Sequence, residues 1–312
     1  MLPIPAPGTD HSRHRSEISR TLLTLSSAFS DFYAGNAEHL SYYTLYSCAY
    51  NVVAADHGEV LYTQVATTIA TEVEKLAASL YSAASASDAE FLRELLGSWK
   101  KHCDAISMIN DVVMYMDRTF IQKRGKAPVP ELGLRAWREG MLDGLDGEVP
   151  LRLQAALLGI AGRERAGEAV DVALYDLVAS ATKMLLELGD SVYQEFFETP
   201  FLDETRWFYS RESVRLLASP CTCGEYLRTV KSMVDVEMVR VSRCPDARTE
   251  EKVVAVVLTE MVEKNMARLV GMEGSVSRPC SSMADTPARS GRRAGDEELD
   301  GGSLPRDQEH GE

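Results

Sequence analysis

Apolar residues recur at spacings of three and four along almost the whole chain from Glu17 to Glu273, and nowhere do they alternate as a half-buried strand requires. That single period leaves only helices to pack. SRTLLTLSSAFSDFYAG (19–35) stops at Gly35 in the manner of a helix C-cap. HLSYYTLYSCAYNVVAAD follows with Ser41 placed to cap it, then EVLYTQVATTIATEVEKLAASLYSAA (59–84), DAEFLRELLGSWKKH and AISMINDVVMYMDRTFIQ (105–122). About five helices therefore precede the polar break QKRGKAPVPE (122–131).

A second set begins with LGLRAWREGMLDGL and VPLRLQAALLGIAGRERAG, where Val149 and Pro150 sit at a helix start. EAVDVALYDLVASATKMLLELG, a segment over 191–208 and a long helix around EYLRTVKSMVDVEMVRVSR complete it. The run 249–273 reads as one further helix capped by Thr249, with acidic residues in the first turn where the helix dipole favours them. There is no Asn-Gly hairpin turn, and the fold class expected is all-α. Residues 1–16 and 274–312 lack periodicity and are expected to be disordered tails.

Charge narrows the partners. With 33 basic against 47 acidic side chains the formal charge is −14, so nucleic acid or an anionic membrane would be repelled and a protein or small ligand is favoured. The cysteines are scattered through a chain of ordinary size, as suits reduced thiols, and the expected location is cytoplasmic, nuclear or both. No run of about 18 apolar residues offers a membrane span.

No reactive cluster emerges. No histidine pair has the i, i+4 spacing with glutamate that a helical zinc site needs, and Cys221-Thr222-Cys223 has no second cluster to complete a metal site. Phosphate-cradling glycine loops and nucleophile elbows are missing as well, so neither enzyme activity, metal nor cofactor is expected.

Aromatic placement is the distinctive feature. On a helical wheel Leu45, Tyr46, Ala49, Val52 and Val53 share one stripe with Tyr42, while Thr44, Ser47 and Asn51 lie opposite and Tyr43 and Tyr50 flank the stripe. These tyrosines either wrap the core, which periodicity favours, or face outward as partner contacts. Over 105–122 the stripe is wider than one bundle edge needs, and Met114 and Ile121 interrupt the polar arc of Asn110, Asp111, Asp117 and Arg118. Such a helix is expected to be covered from two directions, its charges setting register in a protein contact.

With those motifs in place, the chain resembles the cullin family. Trp99, His102 and the string MYMDR (114–118) resemble the end of the first cullin repeat, and residues 42–65 its second and third helices. The HGE-LYT string (57–63) resembles the cullin-three branch, which pairs directly with BTB-domain adaptors. AGRERAGEAVD (161–171), VYQEFFETPFLDET (192–205) and KNMARLVGME (264–273) are similar to the second repeat and the opening of the third. The resemblance implies a stalk of stacked five-helix repeats: 17–125 as the first, 126–248 as the second and 249–273 as the start of a third. It also implies a non-catalytic scaffold of a ubiquitin ligase, with the adaptor lying across the second and fifth helices. Matched residue by residue, its contacts would be Ser41, Tyr42, Leu45, Tyr46, Tyr50, Tyr115 and Phe120. In the cullin-three branch the position of Tyr42 is usually phenylalanine and that of Phe120 tyrosine, so each hydroxyl moves. Beyond Glu273 the resemblance is expected to stop. A chain ending so would lack the RING-binding domain, would bind no RING subunit and would either scaffold ubiquitination, sequester adaptors or act as a plain helical-repeat interaction protein. Val253, Val256, Val257, Leu258 and Met261 would then lie uncovered.

Overall fold

A computed structural model describes residues 9–82, 87–144, 147–242 and 246–276. Every regular element among them is helical, so the all-α expectation holds. The helices are α1 (Thr9–Ala34), α2 (Tyr42–Ala54), α3 (Gly58–Ser82), α4 (Asp88–Val112) and α5 (114–124, with a π-turn at Asp117–Ile121). They are followed by α6 (Val129–Trp137), α7 (Glu148–Arg165), α8 (Val172–Leu188), α9 (190–218), α10 (Cys223–Val241), α11 (Ala247–Met261) and α12 (Met266–Val276).

Local chemistry sets several of these ends. Gly35, at φ 76°, closes α1 as the cap rule requires, and Ser41 Oγ accepts from the Thr44 N–H to open α2. Capping boxes at Ser87/Glu90 and Thr222/Glu225 start α4 and α10.

Two cores follow. One gathers α1, α2 and the lower halves of α3 and α4 around Leu25, Phe29, Leu61, Ile69 and Ile109. The other takes the upper halves of α3 and α4, through Val73, Leu80, Phe91 and Leu95, and continues across α6–α12. Because α3 and α4 serve both, the first five-helix set is stacked on the second rather than tethered to it. Asp88 reinforces the junction by accepting from Arg152 at 2.7 Å and Arg163 at 2.9 Å on α7. Burial would raise the Asp88 pKa, but those two arginines override it and hold the carboxyl below its usual range.

His102 is the second fastener. It is buried on α4 with Nε2 3.1 Å from the Gly133 carbonyl of α6 and Nδ1 2.9 Å from the Tyr33 hydroxyl of α1. A carbonyl only accepts, so Nε2 carries the proton and Nδ1 takes one from Tyr33. Gly133 is needed for that approach, because a Cβ there would meet Ile106 at 2.8 Å. Burial holds the imidazole neutral, with its pKa lowered to about 4.

Several expected boundaries move. Helix α1 starts at Thr9, not near Glu17, since an overhanging turn closes its hydrogen bonds internally and needs no apolar stripe. Residues 105–122 are not a separate helix: α4 runs through His102, with a Lys100–Asp104 pair at 2.7 Å spanning the expected gap, and breaks at Val113 instead. Thr249 is not a cap. Asp246 opens α11, while the buried Thr249 hydroxyl donates to Glu198 at 2.8 Å. The stretch 249–273 is two helices parted by a turn at Glu263–Asn265. Of its five supposedly uncovered residues, Val253, Val257 and Met261 are wholly buried in the second core, and only Leu258 is markedly exposed. Residues 1–8 and 277–312 of the expected tails lie outside the described residues.

Candidate functional site

Helix α2 turns Leu45, Ala49 and Val52 into the first core, and among the described residues no helix covers its other side. Tyr43 stands 82% exposed, Tyr42 and Tyr50 are exposed, and Tyr46 is half-buried. The periodicity argument that favoured the core for these tyrosines is therefore corrected: the small and aliphatic Leu45, Ala49 and Val52 are the buried residues of α2, while Tyr42, Tyr43 and Tyr50 are exposed and Tyr46 lies between. Leu45 lies where the wheel puts it, on the buried stripe. At 4% exposure it supports the face from beneath instead of standing on it.

The exposed rings are held in place by neighbours. Tyr42 stacks on Phe32 at 5.7 Å with 12° between planes, and Tyr50 lies 4.6 Å from Tyr115 of α5. Desolvation and then the nearby Asp111 carboxylate push the Tyr42 pKa up, so its hydroxyl remains a donor. Burial likewise pushes the Cys48 thiol up. Ser41 is exposed, with Oγ accepting from the Thr44 N–H and hydroxyl.

The break at Val113 explains the doubly covered look of 105–122. Met116 and Ile121 point into the first core from α5, whereas Met114 and Arg118 are exposed. Residues 105–122 thus carry two short stripes with different directions, one on each side of Val113. Tyr115 and Phe120 are both half-buried beside α2 and α3.

The HGE-LYT string builds the floor under Phe120. Gly58 begins α3, and a Cβ there would lie 2.6 Å from the Phe120 ring, so glycine admits the ring onto the helix end. Glu59 pairs with Lys126 at 2.5 Å. Tyr62 donates to the Ala127 carbonyl at 3.2 Å, with its ring 6.5 Å from Phe120 and 4.6 Å below the Lys126 ammonium. The structure thus unites Ser41, Tyr42, Tyr46, Tyr50, Tyr115 and Phe120 along α2 and α5. It adds Tyr43, one of the two tyrosines flanking the α2 stripe, together with Tyr62 and Lys126, which the sequence did not single out. Gly58 in HGE was an available signal for a close approach at the start of α3, and the ring it admits is that of Phe120, beside which Tyr62 packs.

Chemically the face is aromatic and, along α2, uncharged. Residues 42–54 hold no charged side chain, and among the described residues no group of acidic, histidine and cysteine side chains could hold a metal. Nor is any described helix long and apolar enough to cross a membrane.

The fold so defined is an all-α solenoid with an open aromatic face on its first five-helix set. Residues 22–290 match the family described as the cullin alpha solenoid domain, and the chain belongs to the cullin family. The match passes Glu273, where the resemblance had been expected to stop. Cullin-3B and Cullin-3A of Arabidopsis thaliana are each 38% identical over 256 residues, covering 82% of this chain and 34% of the relative. Cullin-3 of Dictyostelium discoideum is 31% identical over 259 residues, 82% of this chain and 32% of its own. The chain thus spans about a third of the length of the curated relatives it matches.

Proposed function

We propose that this chain is a non-catalytic scaffold arm of a cullin-based ubiquitin ligase, and that its α2–α5 face holds BTB-domain adaptor proteins in the cytoplasm, the nucleus or both. The observation that carries the reading is the charge-free α2 with Tyr42, Tyr43 and Tyr50 exposed above a filled core. Aromatic side chains left in water beside a completed core gain most of their burial only when a partner arrives. The similarity to cullin-3 proteins supports the choice of partner.

Titration of the purified chain with BTB-domain proteins by calorimetry tests this. Tyr46→Ala is expected to weaken binding by roughly 1–3 kcal/mol, as a central aromatic anchor does. Absence of binding by the unaltered chain to any BTB-domain protein would overturn the assignment.

A further inference from the structure

Next to the uncharged α2 lies the most basic stretch of the contact face. Arg118, Lys123, Arg124 and Lys126 fall within residues 118–126, which contain no acidic residue, in a chain whose net charge is −14. Arg118, Lys123 and Arg124 are exposed, and none of the three has a carboxylate partner among the described residues. Two cations crowd the same ring: the Arg124 guanidinium is 6.0 Å and the Lys126 ammonium 5.9 Å from the Phe120 centroid, with Lys126 also over Tyr62. A helix C-terminus accounts for cations in the last turn of α5, but not for Lys126 beyond the Gly125 cap, nor for the ring floor beneath it. Rings fix a cation's position without cancelling its charge, whereas Glu59 partly cancels that of Lys126.

We infer that this corner of the face, Phe120 and Tyr62 framed by Arg124 and Lys126, receives an acidic strip of the adaptor and so favours adaptors that carry carboxylates at that edge. The inference rests on the adaptor lying across α2 and α5. It divides the contact into two parts. The aromatic part excludes water and sets how long the complex lasts, and the cationic rim speeds encounter and selects the partner. An uncharged α2 cannot select by charge, so the discrimination falls to this corner.

The test follows association and dissociation of the full chain with a BTB-domain protein that binds it, at about 50 and about 300 mM salt, where screening differs more than twofold in range. Arg124→Glu with Lys126→Glu is expected to slow association about tenfold at low salt, to leave dissociation nearly unchanged and to lose its effect at high salt. Glu59→Gln, which unmasks Lys126, is expected to speed association. Tyr46→Ala should instead hasten dissociation at both salts. If the double charge variant melts early, Arg124→Gln with Lys126→Gln replaces it. Unchanged association and salt dependence in the charge variants, beside a normal Tyr46→Ala defect, would overturn this inference and leave the adaptor assignment standing. Loss of anionic-vesicle or DNA binding, with adaptor kinetics unaltered, would overturn it equally, in favour of another anion.

Discussion

The α2–α5 face and the crossing of α7, α9 and α10 break the same rule in opposite directions. The first exposes aromatic rings and carries no charge on α2; the second buries charge where a core would be apolar. Arg165 Nε donates to Glu237 at 2.9 Å and its Nη2 to Thr205 at 2.7 Å, while Tyr209 also donates to Glu237 at 2.9 Å. Arg240 joins Glu237 to Glu164, 2.6 Å away, and the Arg165 guanidinium sits 5.4 and 5.3 Å from the rings of Phe201 and Phe208. Glu237 is wholly buried. Such a network adds little net stability over an apolar core, but it demands one arrangement of three helices. Exposed rings leave binding energy to be realised with a partner, and buried ions consume theirs inside the fold.

The sharpest way to break that contrast is Glu237→Ala. Removing the shared carboxylate leaves the buried Arg165 with only the more distant Glu204, 3.6 Å away, and Arg240 with only Glu164; a loss of about 3–5 kcal/mol in urea denaturation is expected, with adaptor affinity of the folded protein unchanged. Burial alone would raise the Glu237 pKa, yet the two arginines lower it overall. Its stabilisation is therefore present above the ordinary carboxylate range and disappears as pH falls through the depressed folded value.

Next in size is the junction between the two cores. Tyr33→Phe removes the donor to His102 Nδ1 and should cost about 1–3 kcal/mol by leaving that nitrogen buried and unpaired. The folded pKa of His102 is near 4, against 6.5 unfolded, so the unfolded chain binds the extra proton between those values. Stability should fall with decreasing pH in that window by at most about 1.4 kcal/mol per pH unit, and His102→Gln should flatten that part of the curve. A slope unchanged by the substitution would show that some other group titrates.

Smallest is Tyr43→Ala. The ring is almost fully exposed, so melting should move by less than about 0.5 kcal/mol equivalent, while adaptor binding should weaken by about 1 kcal/mol. The reverse result, a stability loss with normal binding, would return Tyr43 to a structural role.

The helical class and the five-helix grouping could be read from the 3.6-residue period alone, because apolar spacing directly records which face is buried. Ends were less legible. Thr249 looks like a cap because threonine both caps helices and, as here, commits its hydroxyl to a core bond with Glu198. The face itself was half legible. Tyr42 and Tyr50 carry their aromatic signature openly, but a wheel treats Leu45 and Tyr46 alike, and only the packing of the first core separates the buried leucine from the half-exposed ring. Arg165 could not be told from Arg163 in AGRERAG: one is sealed at 2% side-chain exposure and the other is 36% exposed, a difference set by helices more than 35 residues away in sequence.

The central claim, that α2 and α5 form the adaptor-binding face, is tested most directly by the affinity of one BTB-domain protein for the chain carrying Tyr46→Ala and Tyr50→Ala together. Loss of more than about tenfold in affinity, with the melting transition still cooperative, is the predicted result. Undiminished affinity in that variant would contradict it and move the contact off α2.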